Sequence, residues 1–270
     1  MNPATSFASH ALASKKALIT GAGRGIGRAV AIALTQAGCS VALLGRQEAR
    51  LIAVSNEIKD LVGVQAPYFM ADVGQAEELE RALELVKANF GNVDILVNNA
   101  GIYRTEAVAH HDIASWREVL ETNLTSAVVS SKACLPAMIA QNWGRIVNVS
   151  SISGKHAEAY GAAYSASKFA LIGLTQATAL EQARHGVTVN AVCPGWVATD
   201  MAFAQINDPL WCELNQIESE QSLEITRLSV PQMRLVEPSE VAGLVVYLCT
   251  PEAAAITGQA INICGGLSIQ

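Results

Sequence analysis

The sequence predicts an α/β protein built on one doubly wound parallel sheet with helices on both faces. Short apolar runs alternate with longer amphipathic segments along the chain, which is the pattern of successive βαβ units. Hydrophobic residues make up 51% of the 270 residues and are mostly Ala, Val, Ile and Leu, as in strands that are buried on both faces. Because no repeat or low-complexity linker divides the chain, we expect a single domain.

The alternation predicts seven strands and, between them, several long helices, with right-handed crossovers. The strands are predicted at Ala17–Thr20, Ser40–Leu44, Ala66–Met70, Ile95–Asn98, Gly144–Ser150, Val187–Val192 and Gln259–Ile263. The helices are predicted at Gly25–Ala37, Arg50–Leu61, Gln75–Asn89, Ile113–Gln141 and Ala163–His185.

Two segments depart from this alternation. Residues 1–14 are predicted to be an N-terminal tail, so that the domain spans residues 15–270. Residues 200–234 carry two prolines and several acidic residues that interrupt the apolar periodicity. We expect a mostly helical lid over a site there, and a plain surface connection is the alternative.

The composition argues against several classes of function. The net charge is −6 and no basic run is visible, which disfavours nucleic acid and anionic membranes as partners. No apolar run reaches the roughly 18 residues of a membrane span, and the N-terminus lacks the pattern of a signal peptide. The six cysteines form no CxxC pair and the five histidines lack ligand spacing. We therefore expect reduced thiols, no metal site and a cytoplasmic location.

A glycine-rich turn follows the first predicted strand. The run TGAGRGIG places Gly21, Gly25 and Gly27 between a strand and a helix, although not in the GxGxxG spacing. Glycines let a backbone approach a phosphate closely, and a helix N-terminus offers free N–H groups to it. This run predicts a dinucleotide site in a Rossmann-like fold, and a simple tight turn is the alternative.

The end of the second strand indicates which dinucleotide binds. An NAD site usually carries Asp or Glu there, which would repel a 2′-phosphate. This chain has Gly45 followed by Arg46, and Arg24 lies within the glycine turn. Guanidinium groups pair well with phosphate, so the preferred cofactor is NADP(H). An ordinary solvated charge is the alternative for Arg46.

A YxxxK pair lies at the start of the last long helix. Tyr164 and Lys168 are one helical turn apart and therefore share a face. The pair alone is weak, since chance produces one in about an eighth of chains of this composition. Its weight comes from a serine pair, Ser150 and Ser151, that ends a strand thirteen residues upstream of Tyr164.

With these motifs in order, the chain resembles the short-chain dehydrogenase/reductase family over nearly its whole length. The matching features are Thr20–Gly27, Asp72, NNAG at Asn98–Gly101, Asn123, Ser151, Tyr164, Lys168 and Pro194–Thr199. The resemblance implies that Tyr164 is the general acid and Ser151 a donor to the substrate oxygen. It also implies that Lys168 binds the nicotinamide ribose and lowers the pKa of Tyr164, and that Asn123 holds a helix bend and a proton-relaying water.

The resemblance also distributes the cofactor contacts. Asp72 and Val73 are expected at the adenine, Asn99 to Gly101 on the adenosine side, and Val197 and Thr199 at the carboxamide. The full predicted cofactor set is Gly21, Arg24, Gly25, Ile26, Gly27, Arg46, Asp72, Val73, Asn99, Ala100, Gly101, Tyr164, Lys168, Pro194, Gly195, Val197 and Thr199. Ser150 is the alternative to Ser151, and Tyr160 is expected to shape the pocket or to pack.

Within the family, the chain most resembles the 3-oxoacyl-acyl-carrier-protein reductases and the polyketide ketoreductases. It departs from the latter after NNAG, where Ile102–Arg104 replaces a Pro-Gly-Gly run. The expected reaction is NADPH-dependent reduction of a ketone, foremost a 3-oxoacyl thioester, by a homotetramer. The alternatives are an NAD(P)-dependent secondary-alcohol dehydrogenase and, more remotely, an inactive nucleotide-binding scaffold.

Overall fold

A computed structural model, which describes residues 12–269, contains one parallel sheet of seven strands. The strand order is β3-β2-β1-β4-β5-β6-β7, and every neighbouring pair is parallel. The strands are β1 Lys16–Thr20, β2 Ser40–Gly45, β3 Tyr68–Met70, β4 Ile95–Asn98, β5 Gly144–Val149, β6 Val187–Pro194 and β7 Ala260–Ile263.

Ten α-helices lie among the described residues. They are α1 Gly25–Gln36, α2 Glu48–Val62, α3 Ala76–Asn89, α4 Ile113–Leu120, α5 Ser126–Ala140, α6 Ala162–Gln182, α7 Asp200–Ile206, α8 Pro209–Asn215, α9 Ser222–Ser229 and α10 Pro238–Cys249. The predicted fold class is confirmed, because the helices cover both faces of the sheet.

The core forms two layers, one on each face of the sheet. Alternate residues of one strand enter different layers: Leu18 packs with α3 and α5, whereas Ile19 packs with α1, α2 and α10. This alternation follows from the period of two along a strand. It explains why the central strands are largely apolar, since helices cover both of their faces.

The third strand is shorter than predicted. The run Ala66–Met70 was expected to be strand throughout, but β3 begins at Tyr68. Pro67 has no N–H to donate to a ladder, and only its carbonyl oxygen pairs with the neighbouring strand, at 2.9 Å from the Leu43 nitrogen. Ala66 instead packs into the core.

The predicted helix Ile113–Gln141 is interrupted by a π-helical turn. Residues Glu121–Thr125 of this turn separate α4 from α5, and Asn123 lies at its centre. Such turns insert a residue without ending the helix and occur often at functional sites. The apolar pattern continues through the turn, so the sequence carries no mark of it.

The N-terminal boundary also differs from the prediction. Residues 1–11 of the predicted tail lie outside the described residues. Leu12, which was assigned to the tail, is only 1% exposed, and its N–H donates to the Ala37 carbonyl at 3.2 Å. The folded unit therefore includes residues 12–14.

The sheet topology specifies where a ligand binds. From β1 the chain first runs outward to β2 and β3, and then returns to place β4 on the other side of β1. In open α/β sheets, ligands bind beyond the carboxyl ends of the strands at such a reversal. The glycine turn after β1 and the NNAG segment at the end of β4 meet at this point.

Candidate active site

A cavity of about 280 Å³ opens at the carboxyl ends of the strands, at the reversal. Most of the residues that sequence analysis assigned to the site line its wall; among those assigned, only Gly27 and Asn123 lie behind it. The assigned residues in the wall are Gly21, Arg24, Gly25, Ile26, Arg46, Asp72, Val73, Asn99, Ala100, Gly101, Ser151, Tyr164, Lys168, Pro194, Gly195, Val197 and Thr199.

The glycine turn brings backbone close to the cavity. Gly21 has φ of +66°, a conformation that side-chain-bearing residues rarely adopt. At Gly27 a Cβ atom would collide with the carbonyl oxygen of Gly21, so α1 can approach the turn only without a side chain. α1 begins at Gly25 with no capping side chain, which leaves its first N–H groups available at the cavity wall.

Asn99 holds the glycine turn in place. Its Nδ2 donates to the carbonyl oxygens of Thr20 at 2.8 Å and Gly21 at 3.3 Å. The Thr20 hydroxyl in turn accepts from the backbone N–H groups of Asn99 and Ala100. β1 and β4 are therefore cross-linked at the point where both line the cavity.

Three arginines surround the end of the cavity near β2. Arg46 pairs with Asp72 at 3.2 Å, while Arg24 and Arg50 both pair with Asp200 at 3.2 and 3.3 Å. All of these side chains are substantially exposed, and such pairs contribute only about 0–1 kcal/mol to stability. The guanidinium groups can therefore exchange these carboxylates for a phosphate at little cost.

Ser151 and Tyr164, which the family resemblance assigns to catalysis, meet at the opposite end of the cavity. The Ser151 hydroxyl accepts from the Ser153 N–H at 3.0 Å and is also within hydrogen-bonding reach of the Tyr164 phenol. The Ser150 hydroxyl is directed elsewhere, since it donates to the Lys168 carbonyl at 3.0 Å. The geometry therefore favours Ser151 as the serine that meets a substrate.

Burial, rather than Lys168, dominates the acidity of Tyr164. The family resemblance implies that Lys168 lowers the pKa of Tyr164. In this structure, burial of the phenol raises that pKa, and the charge of Glu158 raises it further. Lys168 lies 5.5 Å from the Tyr164 ring centre and donates to the Val149 carbonyl at 2.8 Å. Tyr164 is therefore protonated at neutral pH, which is the form that a general acid requires.

Lys168 itself is held in an unfavourable environment for a charge. It is 3% exposed, and burial lowers its pKa to about 8. A charge that is buried at such a cost marks a functional site more often than a structural one.

Asn123 ties the π turn to the segment after β4. Its Oδ1 accepts from the Ile102 N–H at 2.8 Å, and its Nδ2 donates to the Ile102 carbonyl at 3.0 Å and to Ser167 at 3.1 Å. A Cβ atom on Gly101 would lie 3.3 Å from the Asn123 Oδ1 and 3.6 Å from the Lys168 Nζ. The π turn thus supports the cavity wall beside Lys168. The proton-relaying water at Asn123 stays a prediction.

The segment after β6 closes the remaining side of the cavity. A Cβ atom on Gly195 would approach the Cys264 Cβ to 2.9 Å, so this close contact requires glycine. Thr199 caps α7 by accepting from the Ala202 N–H at 3.4 Å. Residues 200–229 fold into three short α-helices and one 3-10 turn, and the lid role remains a prediction. Trp196 in the wall packs edge-on against Trp211 of α8, at 5.9 Å between ring centres.

Several residues at the site were not predicted from sequence. Tyr103 packs edge-on against Tyr164 at 5.1 Å between ring centres. Tyr160, for which the sequence predicts a role in shaping the pocket or in packing, does not line the cavity and has φ of +61°. Glu158 and Arg50 also line the wall. The only sequence signal for Tyr103 was the unusual Ile102–Arg104 run.

The described part of the chain, residues 12–269, contains no group of three or more His, Cys, Asp or Glu side chains arranged to hold a metal ion. Within the same residues, no helix is both long and apolar enough to cross a membrane. All six cysteines are free and buried.

Comparison with known proteins places this site in a family. Residues 15–210 match the sequence pattern of the short chain dehydrogenases. A 3-oxoacyl-[acyl-carrier-protein] reductase of Vibrio cholerae is 40% identical and aligns with 95% of this chain and 98% of its own. A D-beta-hydroxybutyrate dehydrogenase of Cupriavidus necator is 37% identical, with coverages of 94% and 98%.

A solved structure agrees in fold and sequence. A single-residue variant of the actinorhodin polyketide ketoreductase, crystallised with NADPH, is 42% identical and superposes with a TM-score of 0.89. The superposition covers 94% of this chain and 97% of the ketoreductase. The chain described here belongs to the short-chain dehydrogenase family.

Proposed function

We propose that this protein is an NADP(H)-dependent reductase that converts a ketone, foremost a 3-oxoacyl thioester, into a secondary alcohol. The observation that carries the proposal is that Ser151, Tyr164 and Lys168 line the same cavity as the glycine turn. A dinucleotide bound along the turn would therefore reach the tyrosine and serine with its reactive end.

Each residue of the site has a separate role in the proposed reaction. NADPH, when bound, supplies the hydride. Tyr164 donates its phenolic proton to the carbonyl oxygen of the substrate, and Ser151 hydrogen-bonds the same oxygen as negative charge develops on it. Lys168 holds the nicotinamide ribose, and Asn123 keeps the wall beside Lys168 in place.

The cavity wall fits the cofactor at its phosphate groups. The uncapped start of α1 offers N–H groups to the pyrophosphate. Arg24, Arg46 and Arg50 offer guanidinium groups to a 2′-phosphate. No acidic side chain stands at the end of β2, where Gly45 lies, so nothing at that position repels this phosphate.

We expect Arg46→Asp to reduce kcat/KM for NADPH by roughly 10–100-fold, because a charge-assisted contact to the 2′-phosphate is replaced by repulsion. The same variant should gain relative preference for NADH. Arg28→Asp is the matched control, since Arg28 pairs with Glu57 and does not line the cavity. An unchanged cofactor preference in Arg46→Asp would show that Arg46 does not contact the 2′-phosphate.

A substrate panel tests the proposed reaction. We expect NADPH-dependent reduction of acetoacetyl-CoA and of an acetoacetyl ester, with smaller rates for simple ketones. The names of the Vibrio cholerae reductase and of the actinorhodin ketoreductase support this choice. Oxidation of small secondary alcohols without thioester or ester reduction would instead support the dehydrogenase alternative, and cofactor binding without turnover would support the scaffold.

The proposal includes an assembly and a compartment. Large apolar side chains are exposed on the helices that flank the site, including Val128 on α5 and Phe169 and Leu180 on α6. These faces support a homotetramer in which α5 and α6 pack against other subunits. The six free thiols support the reducing cytoplasm.

A further inference from the structure

One acidic side chain at the catalytic end of the cavity has no role in the reaction described above. The cavity wall contains three acidic residues, Asp72, Asp200 and Glu158. Asp72 and Asp200 pair with arginines. Among the described residues, no ion pair of Glu158 is found within 4.0 Å. Glu158 is therefore the acidic group in the wall whose charge is not neutralised by a neighbouring cation.

The surroundings of Glu158 place it where a substrate substituent would lie. Its carboxyl group interacts with the Ser153 hydroxyl, two residues from Ser151. It also interacts with the hydroxyl of Tyr103. Tyr103 in turn packs on Tyr164. Glu158 thus contacts a neighbour of Ser151 and a neighbour of Tyr164, and all three residues line the same cavity.

We propose that Glu158 determines substrate specificity by favouring uncharged oxo substrates, such as esters and thioesters, over free oxo acids. A free 3-oxo acid carries its carboxylate two bonds from the reacting carbon. When its ketone oxygen lies between Ser151 and Tyr164, this carboxylate shares the small cavity with Glu158. Like charges that are forced together in this way exclude the wrong ligand. The inference rests on the proposed function and specifies its substrate class.

The field of Glu158 reaches the reacting atoms. After burial, the charge of Glu158 is the next largest cause that raises the pKa of Tyr164. Two unit charges about 8 Å apart, at an effective dielectric constant of about 20, repel by the equivalent of roughly a 30-fold change in binding. A substrate carboxylate beside Tyr164 experiences the same field.

The discrimination should depend on pH. Burial raises the pKa of Glu158 to about 7, so the carboxyl is mostly neutral at pH 6 and mostly ionised at pH 8. A free oxo acid stays ionised throughout this range, because carboxyl groups in water titrate near ~4. The other titratable groups at this end are Tyr103 on the segment after β4, Tyr164 and Lys168 on α6, Cys193 on β6, and Lys155 and His156 on the loop of Glu158.

The test compares two substrates within each variant. Ethyl acetoacetate and acetoacetate are reduced with NADPH by the wild type, by Glu158→Gln and by Glu77→Gln. The measured quantity is the ratio of kcat/KM for the ester to kcat/KM for the acid. Because both substrates use Tyr164, any general effect of the substitution on Tyr164 or on folding cancels in this ratio. Glu77 is the control, since it is 90% exposed on α3 and does not line the cavity.

We expect the ratio at pH 8 to fall about tenfold in Glu158→Gln and to stay unchanged in Glu77→Gln. In the wild type the ratio should rise between pH 6 and pH 8, and in Glu158→Gln it should not. A ratio that is flat with pH in the wild type and unaffected by Glu158→Gln would overturn the role of Glu158 while leaving ketone reduction intact. A wild type that reduces neither compound would overturn the proposed function and this inference together.

Discussion

Tyr164→Phe should reduce the turnover of a ketone by about 10²–10⁴-fold, the usual contribution of a positioned general acid. The substitution removes only the hydroxyl group, so the ring contact with Tyr103, at 5.1 Å between centres, is kept. Since the glycine turn and the arginines are untouched, NADPH affinity should stay within about twofold of the wild type. Single-turnover kinetics and fluorescence titration of NADPH measure the two quantities separately.

Tyr160→Phe is the matched control for this variant. Tyr160 lies four residues upstream and does not line the cavity, although its backbone carbonyl accepts from the Glu106 N–H at 2.8 Å. A phenylalanine keeps that backbone bond, so we expect activity close to the wild type. If Tyr164→Phe retained full turnover, or if Tyr160→Phe lost it, the assignment of the acid would be wrong.

Much of the fold is predictable because it depends on local patterns. A strand that is buried on both faces is mostly apolar, and this is visible for β1, β5 and β6, although Arg145 and Asn148 of β5 and Asn190 of β6 are buried polar exceptions. The errors arise where one residue changes the backbone. Pro67 shortens β3, and the π turn at Asn123 leaves the apolar pattern of its helix unaltered.

The site residues differ in the same way, because some follow from local spacing and others depend on the tertiary fold. Ser151, Tyr164 and Lys168 are visible in the sequence because their spacing reflects one strand end and one helical turn. Arg50 and Glu158 are not visible in this way. Arg50 reaches Asp200, which is 150 positions away in the chain, and only the tertiary fold brings the two together. The pKa of Tyr164 likewise depends on burial, which spacing does not reveal.

Lys168→Met should lower activity but raise the stability of the protein without cofactor. The substitution removes a donor from the catalytic end, and the loss of one preorganised donor typically costs about 10²–10³-fold in turnover. It also removes a charge that is 3% exposed and whose pKa is lowered from 10.5 to about 8. This shift corresponds to roughly 3 kcal/mol of unfavourable free energy at neutral pH. The lost hydrogen bond to Val149 offsets roughly 1–2 kcal/mol of it.

The pH dependence of the free energy of unfolding distinguishes the removal of a buried charge from better packing of the methionine side chain. Between pH 8 and 10.5 the unfolded chain binds more protons at Lys168 than the folded protein does, so wild-type stability rises with pH in this range. The variant lacks this rise. Its advantage in the free energy of unfolding should therefore be about 1–2 kcal/mol at pH 7 and should disappear, or reverse, as the pH approaches 10.

Urea unfolding of both proteins at pH 7 and pH 9.5 measures this difference, because groups that titrate equally in the two proteins cancel. Lys132→Met is the control, since Lys132 is exposed to solvent on α5. A Lys168→Met protein that is less stable than the wild type at pH 7 would show that the buried charge is compensated in the folded state. A difference that does not change with pH would show that Lys168 titrates normally. With the expected result, the protein without cofactor holds Lys168 charged at a cost to its own stability.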